Sequence, residues 1–190
     1  AAIMPYYTIS YGIDPSGENV ANGYSRYIIT DLLREKYGFD GVVCTDWTIT
    51  ADNPSVETMN GKPWGVEHLS VDERHFQAIY AGCDQFGGND DKQPILAAYQ
   101  LWCQRFGKES AEQRFRASAQ RLLLNFFRVG VFENPYVDPN YTAQVVGCKE
   151  FVEEGYDAQL KSIVMLKNHQ QVMPIKKGAK VYFPKRYYPA

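Results

Sequence analysis

Gly38-Phe39-Asp40-Gly41-Val42-Val43-Cys44-Thr45-Asp46-Trp47 decides how this chain is read. Its β-branched centre lies between Gly41 and Asp46-Trp47, the pattern of a short parallel strand buried on both faces. Along such a strand Val42, Cys44 and Asp46 face one way, and Val43, Thr45 and Trp47 the other. A carboxylate at the carboxyl end of a parallel strand sits where α/β barrels and open sheets place their active sites. Trp47 offers a flat apolar face suited to the C–H face of a sugar ring. The residues alone leave two readings open. Asp46 is either a functional carboxylate or a cap on the following loop, with Trp47 packed on a helix.

Outward from this segment, the chain alternates. Residues 3–11 are rich in strand-favouring Ile, Tyr and Thr, and Asp14-Pro15-Ser16-Gly17 supplies turn chemistry. Tyr24, Ile28 and Leu32 recur at helical spacing in a predicted helix over 24–36, with Gly38 beyond its end. A polar stretch over 48–69 exceeds an ordinary connection and is a candidate for function. Ser70-x-x-Glu73 predicts a capped helix through Ala81, followed by a brief strand over 82–86 that Gly87-Gly88 ends. Pro94 opens a further helix to Phe106. A last one over 111–129 carries Phe115, Ala119, Leu122 and Phe126 on its predicted apolar face. Strand and helix in alternation predict an α/β fold with parallel strands and helical crossovers. After Phe132, the two prolines of Glu133-Asn134-Pro135-Tyr136-Val137-Asp138-Pro139 predict a linker. A helix over 150–168, a turn at Val172-Met173-Pro174 and a strand beginning at Lys180 are predicted beyond it.

Composition narrows the function classes. The 190 residues are 45% hydrophobic and 14% aromatic, enough for a sizeable core, which excludes wholesale disorder. Lys and Arg number 20 against 22 Asp and Glu, with no basic stripe, which argues against nucleic acid as a partner. No apolar run approaches the ~20 residues of a membrane-spanning helix, so no membrane partner is predicted. Cys44, Cys83, Cys103 and Cys148 form no C-x-x-C pair, and His68, His75 and His169 lack metal-ligand spacing. No metal and no cofactor is expected. The opening Ala1-Ala2-Ile3-Met4-Pro5 has neither an initiator Met nor a signal-peptide pattern, so a processed chain or a piece of a longer polypeptide is expected.

The segment 38–47 resembles the nucleophile segment of glycoside hydrolase family 3, Gly-Phe-x-Gly-x-Val-x-Ser-Asp-Trp, departing only in Thr45 for the usual Ser. Three further motifs match in order. Met4-Pro5-Tyr6-Tyr7 resembles the family's Met-Pro-Ser-Tyr strand, and Val129-Gly130-Val131-Phe132-Glu133-Asn134-Pro135-Tyr136 resembles its Leu-Gly-Leu-Phe-Glu-Asn-Pro-Tyr junction. Ser162-Ile163-Val164-Met165-Leu166-Lys167-Asn168, followed by Met173-Pro174-Ile175, resembles the opening of its second domain.

The resemblance implies retaining, exo-acting glycosidases with a (β/α)8 TIM-like barrel followed by an α/β sandwich domain. Residues 1–132 would be the C-terminal portion of that barrel, 133–149 an interdomain linker, and 150–190 the start of the sandwich. Asp46 would be the nucleophile, forming a covalent glycosyl-enzyme on a β-linked oligosaccharide or glycoside. Retention needs a second carboxyl about 5–5.5 Å away that cycles between acid and base. In most of the family that group is a Glu in the second domain, beyond the matched segment, so none is assigned here. Glu57, Glu67, Asp90 and Asp91 match no acid/base motif and read as solvated loop carboxylates.

Tyr7 aligns with a family tyrosine near the nucleophile, where its hydroxyl would orient Asp46 or its ring would pack a strand. Met4 aligns with an apolar pocket residue and reads more readily as core. Trp64 would cover an aglycone subsite or pin its loop, and Lys62 and Glu67 are candidates for sugar hydroxyls. Asp84 reads as a structural carboxylate bonding loop backbone. The resemblance further implies a secreted or periplasmic β-glucosidase-type enzyme, with the rest of its polypeptide on both sides. A β-N-acetylglucosaminidase or β-xylosidase of the same family, or a non-catalytic glycan-binding or structural fragment, are the alternatives.

Overall fold

Residues 1–52, 63–182 and 184 are described by the computed structural model of the chain, which falls into two units, Ala1–Pro135 and Tyr136–Ala190. Glu57, Lys62 and Phe183 lie outside the described residues.

The first unit is mostly helical, around a small parallel sheet. Strand β1 (Ala2–Ile3) pairs in parallel with β2 (Val42–Val43), Ala2 opposite Val42 and Ile3 opposite Val43. Gln85 bridges Cys44 in parallel from the other side, so β2 is central. Val42 and Val43 are buried, as a two-faced parallel strand requires. The predicted strand over 3–11 is cut short because Pro5 has no N–H to donate to the ladder. Ile9 instead pairs antiparallel with Ala21. The predicted strand over 82–86 shrinks to the bridge at Gln85. There the Asp84 carboxylate takes the Val43 N–H (3.0 Å), which a longer strand would have met with a carbonyl.

The helix predicted over 24–36 is a wide π-type helix, Tyr27–Lys36, preceded by a 3₁₀ turn at Asn22–Tyr24. Helix α1 (Val71–Ala81) starts with the predicted box. Ser70 Oγ accepts from the Glu73 N–H, and the Glu73 carboxylate accepts from the Ser70 N–H. Helices α2 (Gln93–Phe106) and α3 (Lys108–Arg128) meet at Gly107, whose φ of 86° allows the sharp turn. Tyr24, Ile29, Val43, Ile49 and Cys83 centre one core cluster, and Phe76, Ile79, Ala98, Trp102 and Ala111 a second.

The apolar face predicted for α3 packs only in part: Phe115 sits against the second core cluster, edge-on to Tyr99. Ala119 and Phe126 are exposed, while Arg114, Ser118 and Arg121 turn inward onto Asp84. The Asp84 side chain is fully buried, with Arg34 at 2.6 Å, Arg121 at 2.9 Å, Arg114 at 3.6 Å and the Ser118 hydroxyl at 2.6 Å. Burial alone would raise its pKa. Ser118, the Val43 N–H, Arg34 and Arg121 outweigh burial and hold it below the ordinary carboxylate value. One carboxylate thus gathers β2, the π-type helix and α3.

Buried His75 lies against Phe86, with Nδ1 2.8 Å from the Val71 carbonyl and Nε2 3.4 Å from Thr50 Oγ1. Burial lowers its pKa, against the opposing pull of Val71, Asp72 and Asp91. The native state therefore keeps the ring neutral, and the unfolded chain takes up the proton first as pH falls. This contribution is complete above the unfolded value of about 6.5 and is lost as pH falls through the folded-state value. In the full-length protein, His75→Gln is expected to reduce the drop in urea midpoint between about pH 7.5 and pH 5. Equal drops in wild type and variant would exclude His75 as the source.

In the second unit, α4 (Pro139–Val145) is capped by the Asp138 side chain on the Asn140 N–H, placing a short helix inside the predicted linker. Helix α5 (Lys149–Ser162) stops before the predicted end at 168. A 3₁₀ turn follows at His169–Gln171, and the Met173–Pro174 bond is cis. No strand begins at Lys180 among the described residues.

Candidate active site

Asp46 follows the central strand directly and is buried (8% exposed). Its carboxylate accepts the Trp47 N–H at 2.7 Å, which holds one oxygen in place. Tyr7, arriving from beyond β1, donates its hydroxyl to the Trp47 carbonyl at 2.7 Å. The Asp46 carboxylate stands within hydrogen-bonding reach of the same phenol. Burial first, then the hydrogen bond and charge of Asp46, push the Tyr7 pKa up to about 12, against the lowering effect of the Trp47 backbone. Tyr7 is therefore a neutral O–H donor across the physiological range. Cys44, on the same face of the strand, is raised by burial and by the Asp46 charge, so it stays a thiol.

The Asp46-Trp47 corner is stitched to the segment 85–87 by three hydrogen bonds. The Thr45 N–H donates to the Gln85 carbonyl (2.8 Å), the Gly87 N–H to Thr45 Oγ1 (3.0 Å), and the Thr48 N–H to the Gly87 carbonyl (2.9 Å). Thr45 is fully buried, and its working group is the hydroxyl, which the usual Ser of the motif also carries. Trp47 is 57% exposed and lies on Gly87-Gly88. A Cβ on Gly88, at φ +68°, would meet the indole at 2.5 Å, and one on Gly87 would meet it at 2.8 Å. The glycine pair is the floor under the ring, a role beyond ending the strand.

Behind the corner, Tyr24 donates to the Ile49 carbonyl (2.9 Å). Buried Arg74 donates to the carbonyls of Thr50, Val66 and Glu67 and to Asp52. Arg74 and His75 carried no sequence signal beyond their place in an amphipathic helix. Trp64 is 39% exposed, its ring centre 6.5 Å from that of Tyr7. Asp46, Trp47, Tyr7 and Trp64 thus come together. Met4, just beyond β1, is 51% exposed and packs in neither core cluster. Glu67, Asp90 and Asp91 are exposed. Glu67 accepts from the Gly65 N–H, and Asp91 from the Gln93 N–H at the start of α2. Among the described residues, no group of three His, Cys, Asp or Glu side chains could hold a metal ion. No described helix is long and apolar enough to cross a membrane.

A buried carboxylate held by a backbone N–H and a neutral phenol, beside an exposed indole, can attack an electrophilic carbon seated against that indole. No family model matches the chain. It is 37% identical over 195 residues to the periplasmic beta-glucosidase/beta-xylosidase of Dickeya chrysanthemi, covering 96% of this chain and 29% of that protein. It is 40% identical over 176 residues to beta-glucosidase C of Emericella nidulans, covering 92% of this chain and 27% of that protein. The solved β-glucosidase of Erythrobacter marinus superposes with a TM-score of 0.56 at 25% identity, over 82% of this chain and 19% of that one. The chain thus spans less than a third of the length of these relatives. Over the stretch it shares with them, it belongs to glycoside hydrolase family 3.

Proposed function

We propose that this chain supplies the nucleophile half of the active site of a retaining, exo-acting β-glycosidase that removes terminal β-linked glucose. The observation that carries the reading is Asp46. It is a buried carboxylate at the carboxyl end of the central parallel strand, bound by the Trp47 N–H and next to the Tyr7 hydroxyl. In this reading Asp46 attacks the anomeric carbon, and the aglycone leaves with a proton from a second carboxyl group. Water then releases the sugar with retained configuration. Tyr7 orients the attacking carboxylate, Trp47 stacks on the sugar ring, and Met4 and Trp64 border the substrate. None of the residues described here is assigned as the acid/base.

The helices around a parallel strand fit the C-terminal part of a (β/α)8 barrel over 1–132. Residues 133–149 are then the link to an α/β sandwich domain that starts near 150. The name of the Dickeya protein supports a periplasmic setting and makes β-xylosides a second substrate class. The test is trapping the full-length protein with a 2-fluoro β-glucoside, whose glycosyl-enzyme turns over slowly. Peptide mass spectrometry is expected to find the label on the peptide containing Asp46. Turnover with the label elsewhere, or with none, refutes the assignment.

A further inference from the structure

A cavity of about 250 Å³ lies between the π-type helix and α3, with Arg26, Arg34, Arg114 and Arg121 in its wall. We propose that it is a binding site for a phosphate group, held by the guanidinium N–H groups of Arg26, Arg34 and Arg121. It lies at the opposite end of β2 from Asp46 and does not depend on the glycosidase reading.

The sequence places these side chains together. Arg26, Thr30 and Arg34 recur one helical turn apart, as do Arg114, Ala117 and Arg121, so each helix turns one face to the cavity. Arg34 fixes its level in the fold, donating to the Phe39, Gly41 and Gly82 carbonyls at 3.3, 3.2 and 2.9 Å. Gly41 precedes β2, and Gly82 precedes the bridge at Gln85. The cavity therefore sits at the amino end of the strands, whereas Asp46 leaves the carboxyl end.

Several donors in the wall are unspent. Arg34 Nε is buried and has no hydrogen-bond partner among the described residues. Gly82, also in the wall, leaves that nitrogen uncovered, since a Cβ there would stand 3.6 Å from it and 2.9 Å from Thr30 Oγ1. Arg121 spends only one η nitrogen, on Asp84 Oδ1 at 2.9 Å, and its side chain is 27% exposed. Arg26 lies over the Tyr80 ring at 5.4 Å and 4.0 Å from Asp31, too far for a hydrogen bond. Arg114, by contrast, is fully engaged by the Ile79 and Cys83 carbonyls and by Ser118.

The charge balance then selects the ligand class. Among the described residues, these arginines pair with two carboxylates only, Asp84 and Asp31. Four guanidiniums against two carboxylates leave two positive charges in a concave wall, which attracts an anion. A phosphate dianion cancels that excess, and its tetrahedral oxygens accept from several guanidinium forks at once. A carboxylate brings half the charge and a neutral polyol none. The volume lies just below the roughly 300–1,000 Å³ of small-molecule sites, which suits a group of this size.

The test is calorimetric titration of inorganic phosphate into the full-length protein at neutral pH, with ionic strength held constant by sodium chloride. Wild type is expected to bind with a Kd of about 1 mM or tighter. Arg26→Ala removes a charged donor, and Ala117→Glu puts a carboxylate into the cavity. Each is expected to weaken binding about tenfold or more. Arg26 is 45% exposed and makes no hydrogen bond among the described residues, so its variant keeps the fold even if Ala117→Glu does not. Glycerol phosphate, titrated in parallel, separates two sources of the same group. Tighter binding than inorganic phosphate marks an ester as the ligand, equal or weaker binding marks the free ion, and either supports the site. Phosphate is also expected to raise the urea midpoint of wild type more than that of Arg26→Ala, since the folded chain alone binds it. Weaker phosphate binding by wild type than this, or equal affinities in wild type and Arg26→Ala, overturns the proposal.

Discussion

Asp46→Ala is expected to lower kcat of the full-length protein on an aryl β-glucoside by roughly 10⁴-fold or more, since the variant removes the attacking atom itself. The nucleophile reading makes a further demand that a merely structural carboxylate would not meet. Azide, small and anionic, can enter the space vacated by the Asp46 side chain and attack the anomeric carbon from the same face. The aryl alcohol departs with the bonding electrons, and the product is the α-glucosyl azide, inverted because only one displacement has occurred. Rate recovery with azide, and that product by NMR, are the expected results. Failure of both, in a variant that still unfolds cooperatively, would sink the assignment. Tyr7 and the Trp47 N–H stay in place in the variant, so the cavity retains the donors that held the carboxylate.

The largest stability effect is expected at Asp84. Asp84→Ala leaves Arg34, Arg114 and Arg121 facing one another in the interior, and takes an acceptor from Ser118 and from the Val43 N–H. Removing one partner from a buried ion cluster costs about 3–5 kcal/mol, because the remaining charges stay buried and uncompensated. Burial and mutual repulsion already push the pKa of Arg34 and Arg114 down despite Asp84, so the cluster has no spare counter-charge. Asp84→Asn keeps an acceptor for the backbone but not the charge, and should fall between wild type and alanine. Chemical denaturation at neutral pH measures both, and a change under about 1 kcal/mol for the alanine variant would remove Asp84 from its anchoring role. Its pKa is lower in the folded state than in the unfolded one. The stability it supplies is therefore full above the unfolded value of about 3.9 and is lost as pH falls through the folded value.

What the sequence by itself determined is what local chemistry decides. The β-branched run ending in Asp46 marks a buried strand and its exit. The Ser70–Glu73 box starts α1, and Pro94 opens α2, because each of these signals acts within a few residues. Asp46 was legible for that reason. Only the tertiary structure decided what depends on chain segments meeting. Tyr7 reaches the Asp46 corner across forty positions, Gly87-Gly88 forms the floor for Trp47, and Arg74 ties Asp52 to the Glu67 carbonyl. The inward face of α3 is the instructive case. Apolar periodicity selects Phe115, Ala119, Leu122 and Phe126; Phe115 does pack on the core, but Ala119 and Phe126 are exposed while Arg114, Ser118 and Arg121 turn inward. A buried carboxylate 30 or more positions away outweighs the hydrophobic pattern, because an unpaired charge in the interior costs more than an exposed phenylalanine.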